Sequence, residues 1–498
     1  MAGASPEDYR CGMARSTSKG TTRPAVRPRL TEARLAASLT GQAAPRHLAF
    51  RSDPARSARY DRGRALRNAV PREAHATWEP TADRADPIAQ LQEQGKSRIT
   101  DLLPIRYGRM LASPFGFYRG AAVVMASDLA TTPRSHVDVQ LAGDAHISNF
   151  GFYASPERDM LFDVNDFDET LPGPFEWDVK RLAASVVVVA RTRGHARGAT
   201  RASVLNAVRV YRDVVRSLAQ LETLRVWYSR MDYTLLESYA RGTVSRMLQQ
   251  VADSAVHHDG ISEIDRLVTT VDGKPVLREQ PPLMTHRPDL GSLDSAASQL
   301  SEYRRTLVSD RRTLLGRYHA VDVALKVVGV GSVGTRCFVA LLDAADGTDP
   351  LFLQVKEAQF SVLSGHLPKS RFRTHGERVV SGQRIMQSES DIFLGWSHGP
   401  QGRQFYWRQL RDMKGSFTLT DMSPPQLHAY AAGCAAALAR AHARSGDPLV
   451  LAGYLGKGDA FDTAIADFAE KYADQAERDH ADLAAAVKAG RIGAETGI

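Results

Sequence analysis

Apolar positions along the chain change their period several times, and each change marks an element. Over residues 86–110, Ile88, Leu91, Ile99, Leu102 and Leu103 recur at helical spacing up to a turn at Pro104, and a second apolar stretch covers 116–130. Over 137–170 the runs shorten. VDVQLAGDAHISNFGFY and DMLFDVNDFDET are broken by Gly, Asp and Asn, which predicts strand-loop-strand units. Helical patterning resumes at 176–193 and extends over 202–256. From Tyr318, VDVALKVVGVGSVGTRCFVALLDAADGTDPLFLQVKEA alternates β-branched residues with Gly and carries a turn at Asp346-Gly347, so a meander of antiparallel strands is expected. A helix at 376–388, strands at 392–396 and 405–410, and Ala-rich helices at 426–444 and 461–487 complete the reading.

Composition narrows the classes. The 498 residues, 43% hydrophobic and 24% charged, can bury a large core. The longest apolar run, LAASVVVVA from Leu182, is far short of the roughly 20 residues of a membrane span and predicts a buried helix instead. Three scattered cysteines, Cys11, Cys337 and Cys434, suggest neither a disulfide framework nor a zinc site, and a reducing cytoplasm fits best. The net charge of +8 invites a nucleic-acid reading. However, residues 1–78 hold fifteen Lys and Arg against six Asp and Glu, so the surplus is confined to an Arg-, Ala-, Ser- and Pro-rich N-terminus with the composition of a disordered tail. The remaining body is close to neutral, which argues against nucleic acid as the ligand.

Two strings carry chemistry. In Gly143-Asp144-Ala145-His146-Ile147-Ser148-Asn149, the Asp and Asn have the spacing at which one kinase loop presents a base to a hydroxyl and a carbonyl to magnesium. The next strand ends in Asp166-Phe167-Asp168, where Asp166 would bridge magnesium to phosphates and Asp168 would hold a second metal. Asp163 and Asn165 read as turn-formers. In the second string, Gly329-Val330-Gly331-Ser332-Val333-Gly334, the glycines Gly329, Gly331 and Gly334 let backbone N–H groups approach phosphates; the strand-like TRCFVALL that follows excludes a dinucleotide-binding helix. Lys356 then takes the place of the phosphate-aligning lysine, with Glu377 as its ion-pair partner. Asp178 opens an apolar helix as a cap or as a brace for the loop. Arg106, Arg109, Arg119, Trp177 and Arg408 are left unassigned.

Taken together, PIRYGRMLASPFGFYRGAA from Pro104, LAGDAHISNFG from Leu141, FDVNDFDETLPGPFEWDVKRLAAS from Phe162 and YADQAERDHADL from Tyr472 resemble the bacterial family known as domain of unknown function 2252, over about residues 62–482. More distantly, the chain resembles the aminoglycoside-phosphotransferase branch of kinase-like folds, whose site positions are filled here by Asp144, Asn149, Asp166 and Asp178. That resemblance implies ATP, magnesium and phosphoryl transfer. It departs from the branch at Ala142, where a His commonly stands, and in placing the Gly-rich loop and its lysine after the catalytic loop.

The expected fold is therefore α+β and helix-rich, a two-lobed kinase-like arrangement in circularly permuted order. Its parts would be a basic tail (1–61), a helical lobe with the catalytic and metal loops (62–317), a small sheet lobe (318–414), and C-terminal helices (415–498) packing on the helical lobe. The expected activity is ATP- and magnesium-dependent transfer to a hydroxyl of an unidentified small-molecule acceptor. The alternatives are nucleotidyl transfer by the same parts and a nucleotide-binding module without turnover. No membrane is expected, nucleic acid is not the expected ligand, and the sequence identifies no partner protein.

Overall fold

The computed structural model describes residues 53–256, 264–344, 349–410 and 414–498. The basic segment up to residue 52 and the expected Asp346-Gly347 turn lie outside the described residues. Residues counted above with the tail form the Pro54–Ala65 helix, which Asp53 caps by accepting the N–H groups of Ala55 and Arg56. Among the described residues no helix is long and apolar enough to cross a membrane.

The chain is α+β and helix-rich. Its largest core gathers the helices Phe175–Thr192, Arg197–Leu218, Pro424–Ser445, Pro448–Leu455 and Ala460–Lys488. Phe175–Thr192 is buried on every side from Phe175 to Ala190, as its unbroken apolar run requires, and burial overrides the weak helix propensity of four consecutive valines. Acidic Glu176 and Asp178 occupy its first turn, the favourable end of the helix dipole. Pro424–Ser445 begins in a capping box between Ser423 and Gln426, and its small alanines let neighbouring helices approach closely.

Against this body lie two short antiparallel pairs: β1 (Asp138–Leu141), β2 (Phe150–Ala154), β3 (Met160–Val164) and β4 (Leu171–Pro174) pair as β1 with β4 and β2 with β3. A hairpin of β5 (Val268–Val271) and β6 (Lys274–Leu277) precedes the main sheet. That sheet contains β7 (Met284–Thr285), β8 (His319–Lys326), β9 (Cys337–Asp343), β10 (Pro350–Glu357), β11 (Gly395–His398) and β12 (Gln404–Gln409). Its order is β11-β12-β10-β9-β8-β7, antiparallel throughout. The helix Leu293–Arg305 packs on it, with Tyr303 stacked on Trp407 at 4.7 Å between ring centroids. This layer thus begins well upstream of residue 318.

Local differences from the pattern reading have tertiary causes. The expected helix over 86–110 is interrupted after Gly95, because Ile99 N–H is drawn to Gly334 O at 2.7 Å. The apolar Phe393 and Leu394 are not strand but a turn closed by Asp391, which accepts the Phe393 N–H at 2.8 Å, so β11 starts only at Gly395.

Candidate functional site

The loop after β1 turns at Gly143, where φ is +82° and a Cβ would lie 2.4 Å from Glu169 O, so only glycine fits. Asp178 braces that loop from the buried helix: its carboxylate accepts the N–H groups of Ala142 at 2.7 Å and Gly143 at 3.0 Å. Buried His442 lies 3.2 Å from the same carboxylate and meets Tyr211 through its other nitrogen at 2.8 Å. The loop is therefore fixed by directed hydrogen bonds from beneath.

This support points Asp144 and Asn149 outward together. Asp144 Oδ1 takes both Nε and Nη2 of buried Arg181, at 2.8 and 2.7 Å, while Oδ2 faces His146 Nε2 at 3.7 Å. Burial pushes the Asp144 carboxyl above its ordinary value, and Arg181 only partly reverses this. His146 is buried, with its pKa forced well below the usual imidazole range by desolvation and then by Arg119 and Arg181, so it is a neutral ring held by Ser148 at 3.0 Å. Asn149 donates its amide to Asp144 O at 2.7 Å, which leaves its side-chain carbonyl available as an acceptor. Asn165 N–H, bonded to Asn149 O at 2.9 Å, prolongs the β2–β3 ladder and brings Asp166 out beside Asn149.

The sheet supplies the cation. On β10, Lys356 stands opposite Cys337 of β9 and Tyr406 of β12. Its side chain is 3% exposed, and Nζ lies 3.6 Å from Asp166 Oδ2 while also forming an ion pair with Asp168 Oδ2. Tyr406 hydroxyl donates to the other oxygen of Asp168 at 2.8 Å. Burial alone would raise the Asp166 carboxyl, but Lys356 and Arg408 outweigh it and hold the group below its ordinary value. For Lys356 desolvation is likewise outweighed by the two carboxylates, so its ammonium is held charged. Sequence elements almost two hundred residues apart thus meet at atomic contact.

Three expected roles are corrected. Glu377 does not reach Lys356; its carboxylate accepts the Arg373 N–H at 3.3 Å within its own helix start. One position on, Arg378 turns inward and donates to the carbonyls of Thr170, Asp168 and Gln359 at 2.7–2.8 Å, tying the helix His375–Met386 to the carboxylate loop. The carboxylate partner of the lysine is Asp168, whose two oxygens are engaged by Lys356 and Tyr406 rather than left for a second metal. Asp163, expected to serve a turn, is fully buried and paired with Arg440 at 2.5 Å, and it accepts the Ser388 N–H at 3.0 Å.

Gly329, Gly331 and Gly334 lie in the β8–β9 connection, with a 3-10 turn at Val330–Ser332, and the strand β9 follows as expected. Arg98 Nη1 donates to Val333 O at 2.5 Å, and Arg109 donates to Val328 O. A Cβ at Gly329 would lie 3.5 Å from Arg119 Nη2. Arg119 feels the charges of both Asp144 and Asp166, and its Nε has no hydrogen-bond partner among the described residues. Arg408 spans Gln354 Oε1 at 2.9 Å and Asn165 O at 3.1 Å. Arg119, Arg181, Tyr406 and Arg408 are site residues that pattern reading left without a role. The one available signal was a charged residue inside an apolar run, as Arg181 is inside VKRLAAS.

Among the described residues no three His, Cys, Asp or Glu gather as a metal set. Asn149 and Asp166 offer hard oxygens of the type magnesium takes, one or two from protein with the rest from water and phosphate.

A family model described as "Uncharacterized protein conserved in bacteria (DUF2252)" matches residues 98–486. No curated protein and no solved structure matches the chain.

Proposed function

Because the chain belongs to the DUF2252 family, whose description names no activity, we propose its function from the geometry: an ATP- and magnesium-dependent phosphotransferase acting on the hydroxyl of a small molecule. The observation that carries this reading is the 3.6 Å approach of Lys356 Nζ to Asp166 Oδ2, which unites the lysine and carboxylate strings. Asn149 and Asp166 would hold magnesium, Lys356 and Arg119 would align phosphate oxygens, and Gly329, Gly331 and Gly334 would admit them close to the backbone. When bound, metal-complexed ATP supplies the phosphoryl group and neutralises charge on it. Asp144 accepts the hydroxyl proton at Oδ2, the oxygen that Arg181 leaves free; its raised pKa suits a base. Asp168 keeps Lys356 in place, and Asp178 keeps the base in place.

The permuted order also has support. Ser445, the last residue of the helix Pro424–Ser445, accepts the Gln140 N–H at 3.1 Å, and Gly446 packs on Val139. The helix that follows the sheet therefore ends at the strand leading into the catalytic loop, so a join there would restore the order of an unpermuted kinase-like chain.

Calorimetric titration of magnesium-ATP into the intact protein, beside folded Asp166→Ala and Lys356→Ala variants, tests the reading. Binding weakened at least tenfold by both is expected, and binding that ignores both substitutions would defeat it. Product analysis then separates the chemistries: ADP marks phosphoryl transfer and pyrophosphate marks nucleotidyl transfer. Binding with no turnover in the presence of candidate acceptors marks a binding module.

A further inference from the structure

A cavity of about 820 Å³ opens beside Asp168 and Glu169 and extends to Gly331 of the Gly-rich loop. Its volume falls in the range of small-molecule sites. Four carboxylates line it, yet most of their charge is answered: Glu357 pairs with Arg336 and Arg403, Asp168 with Lys356, and Glu93 with Lys96. Glu169 is held partly protonated near neutrality, its pKa pushed up to about 7 by burial.

Arg98, also in the lining, is the reverse case. It is 8% exposed, makes no ion pair among the described residues, and has Nε without a hydrogen-bond partner. Only its Nη1 is used, on Val333 O at 2.5 Å, which fixes the guanidinium against the Gly-rich loop. A buried guanidinium in a cavity wall that makes no ion pair, with the carboxylates of Glu169 and Asp168 acting on it only from a distance, attracts an anionic oxygen group. The same lining holds Phe360, 77% exposed and tilted on His375 at 4.2 Å between centroids. An apolar ring left largely in solvent beside a polar cavity offers a stacking surface, which among the described residues only His375 touches as a ring contact.

We propose that this cavity is the acceptor pocket, taking a small ring-bearing molecule whose carboxylate or phosphate is held by Arg98 and whose ring rests on Phe360. This inference rests on the phosphotransferase reading for the word acceptor, but the pocket and its ligand class are testable without it.

Phenyl phosphate and benzoate are the probes, titrated by calorimetry or saturation-transfer NMR into the full chain. Arg98→Gln removes the charge and keeps a polar side chain; Phe360→Ala changes an exposed side chain and leaves the core intact. Each is expected to weaken probe binding about tenfold or more while magnesium-ATP binding stays as in the parent. Lys356→Ala should weaken magnesium-ATP binding; because it also leaves Asp168 unanswered in the cavity wall, the anionic probes should bind it less well than the parent. The preference between the two probes identifies phosphate or carboxylate as the anion. Absence of probe binding at millimolar concentration, or binding indifferent to both substitutions, would overturn the proposal. So would competition by magnesium-ATP that itself requires Arg98 and Phe360, because the cavity would then belong to the nucleotide. If ATP fails to bind but the probes bind through Arg98, the phosphotransferase reading fails and the anion pocket stands.

Discussion

The two halves of the candidate site are held in place by different physics. On the helical side the Asp144 loop is fixed by hydrogen bonds of defined direction, from the N–H groups of Ala142 and Gly143 to Asp178 and from the Asn149 amide to Asp144 O. On the sheet side Lys356 is located chiefly by charge, a buried ammonium between Asp166 and Asp168. Directed bonds to backbone fix a loop at every pH where the acceptor is ionised. An ion cluster depends on the protonation of each member, so the sheet side can respond to pH, substitution and ligand phosphates in ways the loop should not.

The strongest way to break this contrast is Asp178→Ala. It strips two backbone N–H groups and His442 of their common acceptor at a fully buried position. Each orphaned donor costs roughly 1–3 kcal/mol, so a loss of about 3–5 kcal/mol is expected in urea unfolding. Asp178→Asn, which keeps one acceptor oxygen, should recover a substantial part. A loss under about 1 kcal/mol for the alanine variant would show that the loop does not depend on this brace.

Lys356→Met should cost less, about 1–2 kcal/mol, because Asp166 and Asp168 remain about a third exposed and water screens their repulsion. The deficit should depend on pH. In the parent, Asp166 has its carboxyl held below the usual value, so its contribution is present above the unfolded pKa and is lost as pH falls through the folded one. The variant should therefore fall furthest behind near pH 7 and close the gap below about pH 4. A deficit equal at pH 7 and pH 3.5 would mean that packing of the lysine stem, not its charge, holds the sheet side.

This division also explains what could be read from sequence. Asp144, Asn149 and Asp166 were legible because a short loop and one hairpin carry them, so spacing along the chain translates into spacing in space. Lys356 was legible as a strand lysine beside a Gly-rich turn, and the α+β class followed from the change of period. The partner of the lysine was not legible. Glu377 occupies the first turn of the next helix in the chain, but its carboxylate takes the local Arg373 N–H, whereas Asp168 reaches the lysine through a pairing that only the packed halves create. Asp163 was mistaken for a turn residue for the same reason: its partner Arg440 lies in a C-terminal helix, and nothing local announces it. The Arg98 cavity was equally hidden, since its walls come from the N-terminal helices, the Gly-rich loop and the sheet.

The mildest test sits where the two halves touch. Glu169 follows Asp168, accepts the Val362 N–H at 2.6 Å, and backs the Gly143 turn. Desolvation raises its pKa from an unfolded value of 4.5 to about 7, against the opposing pull of the Val362 N–H and Arg378. The folded state therefore binds more protons than the unfolded state between those values, and stability should decline as pH rises through them. Glu169→Gln keeps an acceptor for Val362 and cannot ionise. The variant should match the parent near pH 4 and exceed it by about 1–2 kcal/mol near pH 8, less than the full shift implies because the group retains solvent contact. Urea unfolding at the two pH values measures this directly. A variant no more stable than the parent at pH 8 would show that Glu169 is ionised at little cost, adding a full negative charge to the cavity and weakening the case for an anion at Arg98.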